Sequence, residues 1–320
     1  KYRIMYMTSV VHNIMKLKPK TILIDSSNLL HRAVWIGENV RTNVNPAYIF
    51  LTSIKKYVEK FSCSNVYSVW DKKLIYPSTN FRRSSKVVEY KGTRDKKKNE
   101  AVFKHEDLTT RLLTSLGVKN MYPGVLEADD VISWMSKKSD ELKVIVSVDQ
   151  DMLQLIDDNN VVYSPMKDVL IDKLNFEYHT GCPIDQFLRY KSMIGDKSDN
   201  LPGINKCGAK TARKYVDRYP TDDLLRENVD ADVLEPYFTN LRMIDLNQGP
   251  KEHPEDVELY EKQYDELQDL ECDMDEFRDL CTEYNINTAL DNINVWQTAF
   301  APQAVTNTLA DIVNSLGLTK

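Results

Sequence analysis

Nine carboxylates recur in five short segments of this 320-residue chain, each where a strand-like run ends or a helix-like run begins. They are Asp25 in TILIDSSN, Asp71 in VYSVWD, Glu127, Asp129 and Asp130 in LEADD, Asp149 and Asp151 in SVDQD, and Asp196 and Asp199 in GDKSD. Brought together, nine such groups cannot all stay ionised, because like charges at one site raise each other's pKa. Hard divalent cations resolve the conflict, and Mg²⁺ or Mn²⁺ prefers oxygen ligands. A carboxylate cage of this kind implies chemistry on phosphates. Each segment read alone is equally a cap or an acidic first turn. The metal reading rests on all five occurring in order on one chain.

Position is the next requirement. Thr21–Asp25, Val66–Trp70, Val118–Tyr122, Leu142–Val148 and Val161–Ser164 read as strands. Pro46–Phe61, Asp107–Leu116, Ala128–Lys138 and a short Gln150–Ile156 read as helices between them. That alternation predicts a mostly parallel α/β sheet with helices on both faces. Ligands bind beyond the carboxyl ends of such strands, where Asp25, Asp71 and Asp149 fall. After about Cys182 the pattern turns helical, beginning with Ile184–Ile194. The expected division is an extension over 1–20, partly disordered, a catalytic core over 21–183, and a helical region over 184–320.

Bulk composition narrows the class. At 42% hydrophobic and 28% charged residues the chain reads as soluble and globular. No apolar run reaches the ~20 residues of a membrane helix, and the opening segment lacks the pattern of a secretion signal. Scattered cysteines without CxxC, and histidines without HxH or HExxH, argue against zinc and for free thiols in a cytoplasm. Net charge is −6, but setting the nine proposed ligands aside turns it to +3. The remaining charge is uneven. Arg82, Arg83, Lys86, Lys91, Arg94, Lys96, Lys97 and Lys98 crowd one stretch. That stretch is either a solvated face or a phosphate-gripping arm, with Lys91 and Arg94 on the phosphate and Tyr90 stacked on a base. LPGINKCGAKTARKY is either a plain helical connection or a hairpin that offers backbone N–H groups, Lys206, Lys210 and Arg213 to a phosphate backbone.

In order, VWD, EYKGTRD, GVLEADD, SVDQDM, MIGDKSDNLPGI and GAKTA resemble the structure-specific 5′-nucleases: flap endonucleases, the 5′-nuclease domain of bacterial DNA polymerase I, and above all the bacteriophage T5-type 5′→3′ exonucleases. The motifs span roughly residues 21–219. The resemblance implies a PIN-like α/β core with a helical arch at about 80–106 and a helix–three-turn–helix beside it. It implies a first metal held by Asp25, Asp71, Glu127, Asp129 and Asp130. Asp149, Asp151, Asp196 and Asp199 would hold or adjoin a second. Lys91 becomes the electrostatic catalyst, with Arg94 beside it and Tyr90 at the arch base. Gly203–Thr211, including Lys206, Gly208, Lys210 and Thr211, becomes the grip on duplex DNA, often with K⁺. Family hairpins commonly carry glycine at the position of Lys206 and an aliphatic residue at that of Cys207. The implied reaction is two-metal hydrolysis near the 5′ end of branched or nicked DNA, in the cytoplasm of a bacterium or phage-infected host. The rivals are a primer-removing nuclease on RNA–DNA hybrids and an inactive branched-DNA binder. The last hundred residues match no motif and could add DNA contacts or bind a replication protein such as a clamp or single-strand-binding protein.

Overall fold

Strand β1 (Thr21–Asp25) is the centre of the molecule, buried along its whole length. Around it a six-stranded sheet runs in the order β3-β2-β1-β4-β5-β6. Its other strands are β2 (Asn65–Val69), β3 (Lys119–Met121), β4 (Lys143–Val146), β5 (Asn160–Ser164) and β6 (Val169–Ile171). The first five are parallel, and β6 closes one edge antiparallel to β5. The computed structural model describes residues 19–39, 44–71, 80–84, 89–91 and 96–301, with the side chains of 39 and 96–101 excepted. The expected N-terminal extension, Lys86 and Arg94 lie outside these residues.

The apolar strands are explained by burial on both faces. Ile22, Ile24, Val144, Val146, Val161 and Tyr163 face one core. The alternate positions Leu23, Ile145 and Val162 face the other. Helices Ser26–Asn39, Pro46–Phe61 and Lys96–Ser115 cover the first face, and Ala128–Ser136 packs on the second. Helix Pro46–Phe61 has the bounds its periodicity predicts. It starts on Asn45, whose side chain accepts the Ala47 amide, with Pro46 in the first turn. The helix expected over Asp107–Leu116 begins eleven residues earlier, at Lys96. Its first turns are too polar to show an apolar stripe, so periodicity finds only the packed end.

Beyond residue 183 no separate core forms. Phe277, Leu280, Cys281 and Trp296 complete the first core, and Tyr237 and Tyr260 complete the second. Described residues on either side of Cys182 thus pack into the same two clusters. Helices Phe187–Ile194 and Ala209–Arg218 flank a small antiparallel hairpin, β7 (Gly195–Asp196) and β8 (Leu201–Pro202). Gly203 is needed there for close packing: a Cβ would lie 2.1 Å from the Ile194 carbonyl oxygen.

Candidate active site

The strand order reverses at β1, whose neighbours are β2 and β4. Asp25 ends β1, Asp71 stands two residues past β2, and Asp149 three past β4. Asp25 is 1% exposed. Its Oδ2 accepts hydrogen bonds from Asn28 Nδ2 (2.7 Å) and Ser147 Oγ (2.6 Å). The Asp71 amide donates to Ser27 Oγ (2.7 Å), and its Oδ1 accepts the Ala128 amide at the start of helix Ala128–Ser136 (3.0 Å). Asp149 Oδ1 caps the turn Gln150–Leu155 through the Asp151 amide (2.8 Å). Capping and convergence are thus the same geometry, since a helix that starts on one of these acids is aimed at the others.

The acids feel each other. Burial, opposed by the Asn28 and Ser147 bonds and aided by Asp71 and Asp149, pushes the Asp25 carboxyl up to about 6. Burial, then Asp149 and Asp25, push Asp129 well above the carboxylate range. Burial and Asp71 carry Glu106, on helix Lys96–Ser115, up to about 7. Among the described residues no group of three or more His, Cys, Asp or Glu side chains is placed so that it could hold a metal ion as it stands. The acids are neighbours whose charges oppose one another, and carboxylate oxygens are the hard donors that a divalent cation takes.

Glu127 is held differently. It accepts from Lys91 Nζ (2.9 Å), Tyr90 Oη (3.0 Å) and Arg83 (3.3 Å). Burial alone would raise its pKa, but the cations of Lys91 and Arg82 bring it down to about 2. Lys91 reaches this place because residues 89–91 are tied to the β7–β8 loop. The Lys91 amide donates to the Asp199 carbonyl (3.0 Å), and Asn200 Nδ2 donates to that of Glu89 (2.9 Å). Lys91 Nζ lies 4.0 Å from Asp199 Oδ2, and its backbone is left-handed at φ 54°. Asp151 and Asp196 share the ammonium of Lys191, which is 8% exposed. Burial, offset by Lys191 and reinforced by Asp149, holds Asp151 at about 6.

Three sequence expectations need correction. Asp130 is fully buried and takes both nitrogens of Arg82, at 2.6 and 2.8 Å, so it is not available as a metal ligand. Arg82 is 1% exposed and also donates to the Met243 carbonyl (2.8 Å), so it cannot reach DNA. Tyr90 is buried beside Phe81 and Leu201 with its hydroxyl on Glu127, leaving no face for a base. Arg213 keeps a third of its side chain exposed and pairs at the surface with Glu177, Asp217 and the Gly181 carbonyl. Replacing Arg82 with alanine strands Asp130 in the interior. Chemical denaturation should show a loss of about 3–5 kcal/mol. A stable variant with weakened DNA binding would return Arg82 to the interface.

Lys206, Gly208, Lys210 and Thr211 are exposed, and Gly208 precedes helix Ala209–Arg218 with open space where a Cβ would point. Lys206 is left-handed at φ 57°, a conformation that glycine adopts without steric cost. Cys207 is buried in the second core, as an aliphatic residue would be. Sequence reasoning passed over Asn28, Ser147 and Lys191. Asn28 and Ser147 carried a signal, being three residues from Asp25 and two from Asp149. Lys191 carried none, since nothing local marks a lysine as buried.

Comparisons with known proteins bear on the family and the fold. Residues 20–181 match the family model described as 5′-3′ exonuclease, N-terminal resolvase-like domain. A 5′-3′ exonuclease of Buchnera aphidicola is 29% identical over 223 residues, covering 67% of this chain and 75% of that protein. DNA polymerase I of Lactococcus lactis is 29% identical over 241 residues, 68% of this chain. The chain spans only 26% of that polymerase's length. A structure of the T5 5′-exonuclease with zinc ions bound superposes with a TM-score of 0.63 at 18% identity, over 78% of this chain and 98% of that one, a likeness of fold. With 162 of its 320 residues inside the family model, this chain belongs to the 5′-3′ exonuclease family.

Proposed function

We propose that the chain is a divalent-metal-dependent 5′-nuclease, a flap endonuclease and 5′→3′ exonuclease that hydrolyses phosphodiesters near the 5′ ends of branched or nicked DNA. One observation carries the reading: Asp25, Asp71, Asp129 and Asp149 converge past the ends of β1, β2 and β4, with Lys91 close enough to temper Asp129. Carboxylates of this kind are the oxygen donors that Mg²⁺ or Mn²⁺ takes, and two ions would be bound. Asp25, Asp71, Glu127, Asp129 and Asp149 would hold one side, and Asp151, Asp196 and Asp199 would adjoin the other. When bound, such ions supply a water of lowered pKa and positive charge for the leaving oxygen. Lys91 would turn its ammonium from Glu127 to the scissile phosphate, where charge builds in the transition state. Arg83 and Arg94 would flank it. Lys206, Gly208, Lys210 and Thr211 would grip the duplex backbone without reading sequence, with K⁺ at the hairpin carbonyls.

An end-labelled 5′-flap duplex incubated with Mg²⁺ tests this. Cleavage should fall near the junction, leave a 5′-phosphate, and stop in EDTA. Tight binding in EDTA with no cut on adding Mg²⁺ or Mn²⁺ would sink the nuclease reading. An RNA-primed duplex in parallel reports whether hybrids are also cut.

A further inference from the structure

The segment that presents Glu127 and Asp129 is shaped from a distance. Gly124, Val125 and Leu126 lead into the acids without regular structure, so their amides need partners. All three donate to one carboxylate. Asp256 accepts from Gly124 (3.0 Å), Val125 (3.0 and 3.2 Å) and Leu126 (3.0 Å). It is 2% exposed and belongs to helix Pro254–Glu266, more than 120 residues away in sequence. The same helix aligns its next turns with the same strand exit. Tyr260 donates its hydroxyl to Asp256 (2.9 Å). Gln263 brackets Tyr122, accepting its amide (2.9 Å) and donating to its carbonyl (2.8 Å). Residues 256, 260 and 263 lie on one helix face. The fit is close: a Cβ on Gly124 would stand 2.4 Å from Asp256 Oδ1.

We propose that Asp256 is a positioning residue for the metal-binding acids, and that helix Pro254–Glu266 is the template on which segment 122–127 is set. Three convergent N–H groups on one carboxylate form a charge-assisted anchor. That anchor fixes where the chain delivers Glu127 and Asp129, and Asp256 touches neither substrate nor reacting atoms. The inference rests on the proposed metal-dependent function. It gives a role to part of the C-terminal hundred residues, for which the sequence showed no motif.

The test compares wild type with Asp256→Asn, Asp256→Glu and Tyr260→Phe. Asparagine keeps the shape but loses the charge and turns an amide group toward the three donors. Hydrogen exchange should rise at the amides of residues 124–126 in Asp256→Asn. Mn²⁺ affinity without DNA, read by paramagnetic resonance, should weaken about tenfold, which corresponds to ~1.4 kcal/mol. On a flap substrate kcat should fall at limiting Mg²⁺ while KM for DNA moves less than about twofold. Tyr260→Phe, which removes one hydrogen bond to the Asp256 carboxylate and keeps its three backbone donors, should lie between wild type and Asp256→Asn. Glutamate should rescue part of the Mn²⁺ affinity. If Asp256→Asn lowers Tm while its Mn²⁺ affinity stays that of wild type, the residue serves the fold alone and the inference fails. If wild type itself binds no Mn²⁺, the proposed function fails and the inference with it. Should Asp256→Asn not fold, Tyr260→Phe decides: unchanged Mn²⁺ affinity there overturns the inference.

Discussion

Asp129→Asn should reduce cleavage by roughly 10²–10³-fold or more, the scale of losing one electrostatic participant in the transition state, yet leave the metal-free protein no less stable. The second half follows from the crowding. Asp129 is pushed well above the carboxylate range by burial and by Asp149 and Asp25, and Asp25 is pushed up to about 6. A carboxyl whose folded pKa is raised binds protons more tightly in the native state. Its contribution to stability is whole below about pH 4 and is lost as pH rises through 6 and above. Each unit of displacement is worth ~1.4 kcal/mol against the ionised fold. Glu127, brought down to about 2 by Lys91 and Arg82 against its burial, contributes in the opposite sense, but its contribution is constant above about pH 5. Metal-free wild type should therefore lose several degrees of Tm between pH 5 and 8. Mg²⁺ should restore them by binding only the folded state. Asp129→Asn should show a flatter profile and a smaller Mg²⁺ response. Thermal melts in EDTA and in Mg²⁺ across that range check both. A pH-independent Tm in metal-free wild type would mean that the acids do not share a field.

Lys91→Ala should lower kcat by about 10²-fold or more with a much smaller change in KM, because its charge is needed where the phosphate becomes more negative. The residue is prepared for this. Its ammonium is held 2.9 Å from Glu127 and 4.0 Å from Asp199, its side chain is 7% exposed, and its backbone is kept left-handed by the bond to the Asp199 carbonyl. A non-glycine residue in that conformation carries strain of order 1–3 kcal/mol. Lys91→Arg should recover only part of the rate, since a planar fork does not replace a compact point charge at a fitted position. Single-turnover cleavage of a flap duplex under saturating Mg²⁺ separates chemistry from binding. A loss of less than about tenfold for Lys91→Ala would remove it from the catalytic role.

The two sets of acids differ in how legible they were. Asp25, Asp71 and Asp149 were placed from sequence because a buried strand has a recognisable apolar run and a definite end. Their convergence then follows from parallel strands whose carboxyl ends lie on one edge. Asp129 and Asp130 are adjacent in sequence and identical in chemistry, yet one joins the crowded acids and the other is consumed by Arg82. Nothing local separates them. Consecutive helical residues point about 100° apart, and which direction meets the site and which the core depends on what packs there. Tyr90 and Arg82 were misread for a related reason: an aromatic or basic residue near a phosphate-binding motif looks the same whether it faces solvent or a buried partner. Cys207 and Lys206, doubtful as departures from the family pattern, are accommodated by burial and by a left-handed turn.

Periodicity, strand ends and motif order are properties of neighbours along the chain, so sequence alone determined the parallel sheet, the placement of acids at its carboxyl edge and the family. Pairings over long separations are not. Lys191 between Asp151 and Asp196, Arg82 on Asp130, and Asp256 under residues 124–126 join segments that lie 40 to 132 residues apart and meet only once the chain has packed. Whether a charge is a ligand, a partner or an anchor is set by burial and by the opposite charge it finds there, and only the tertiary structure supplies both.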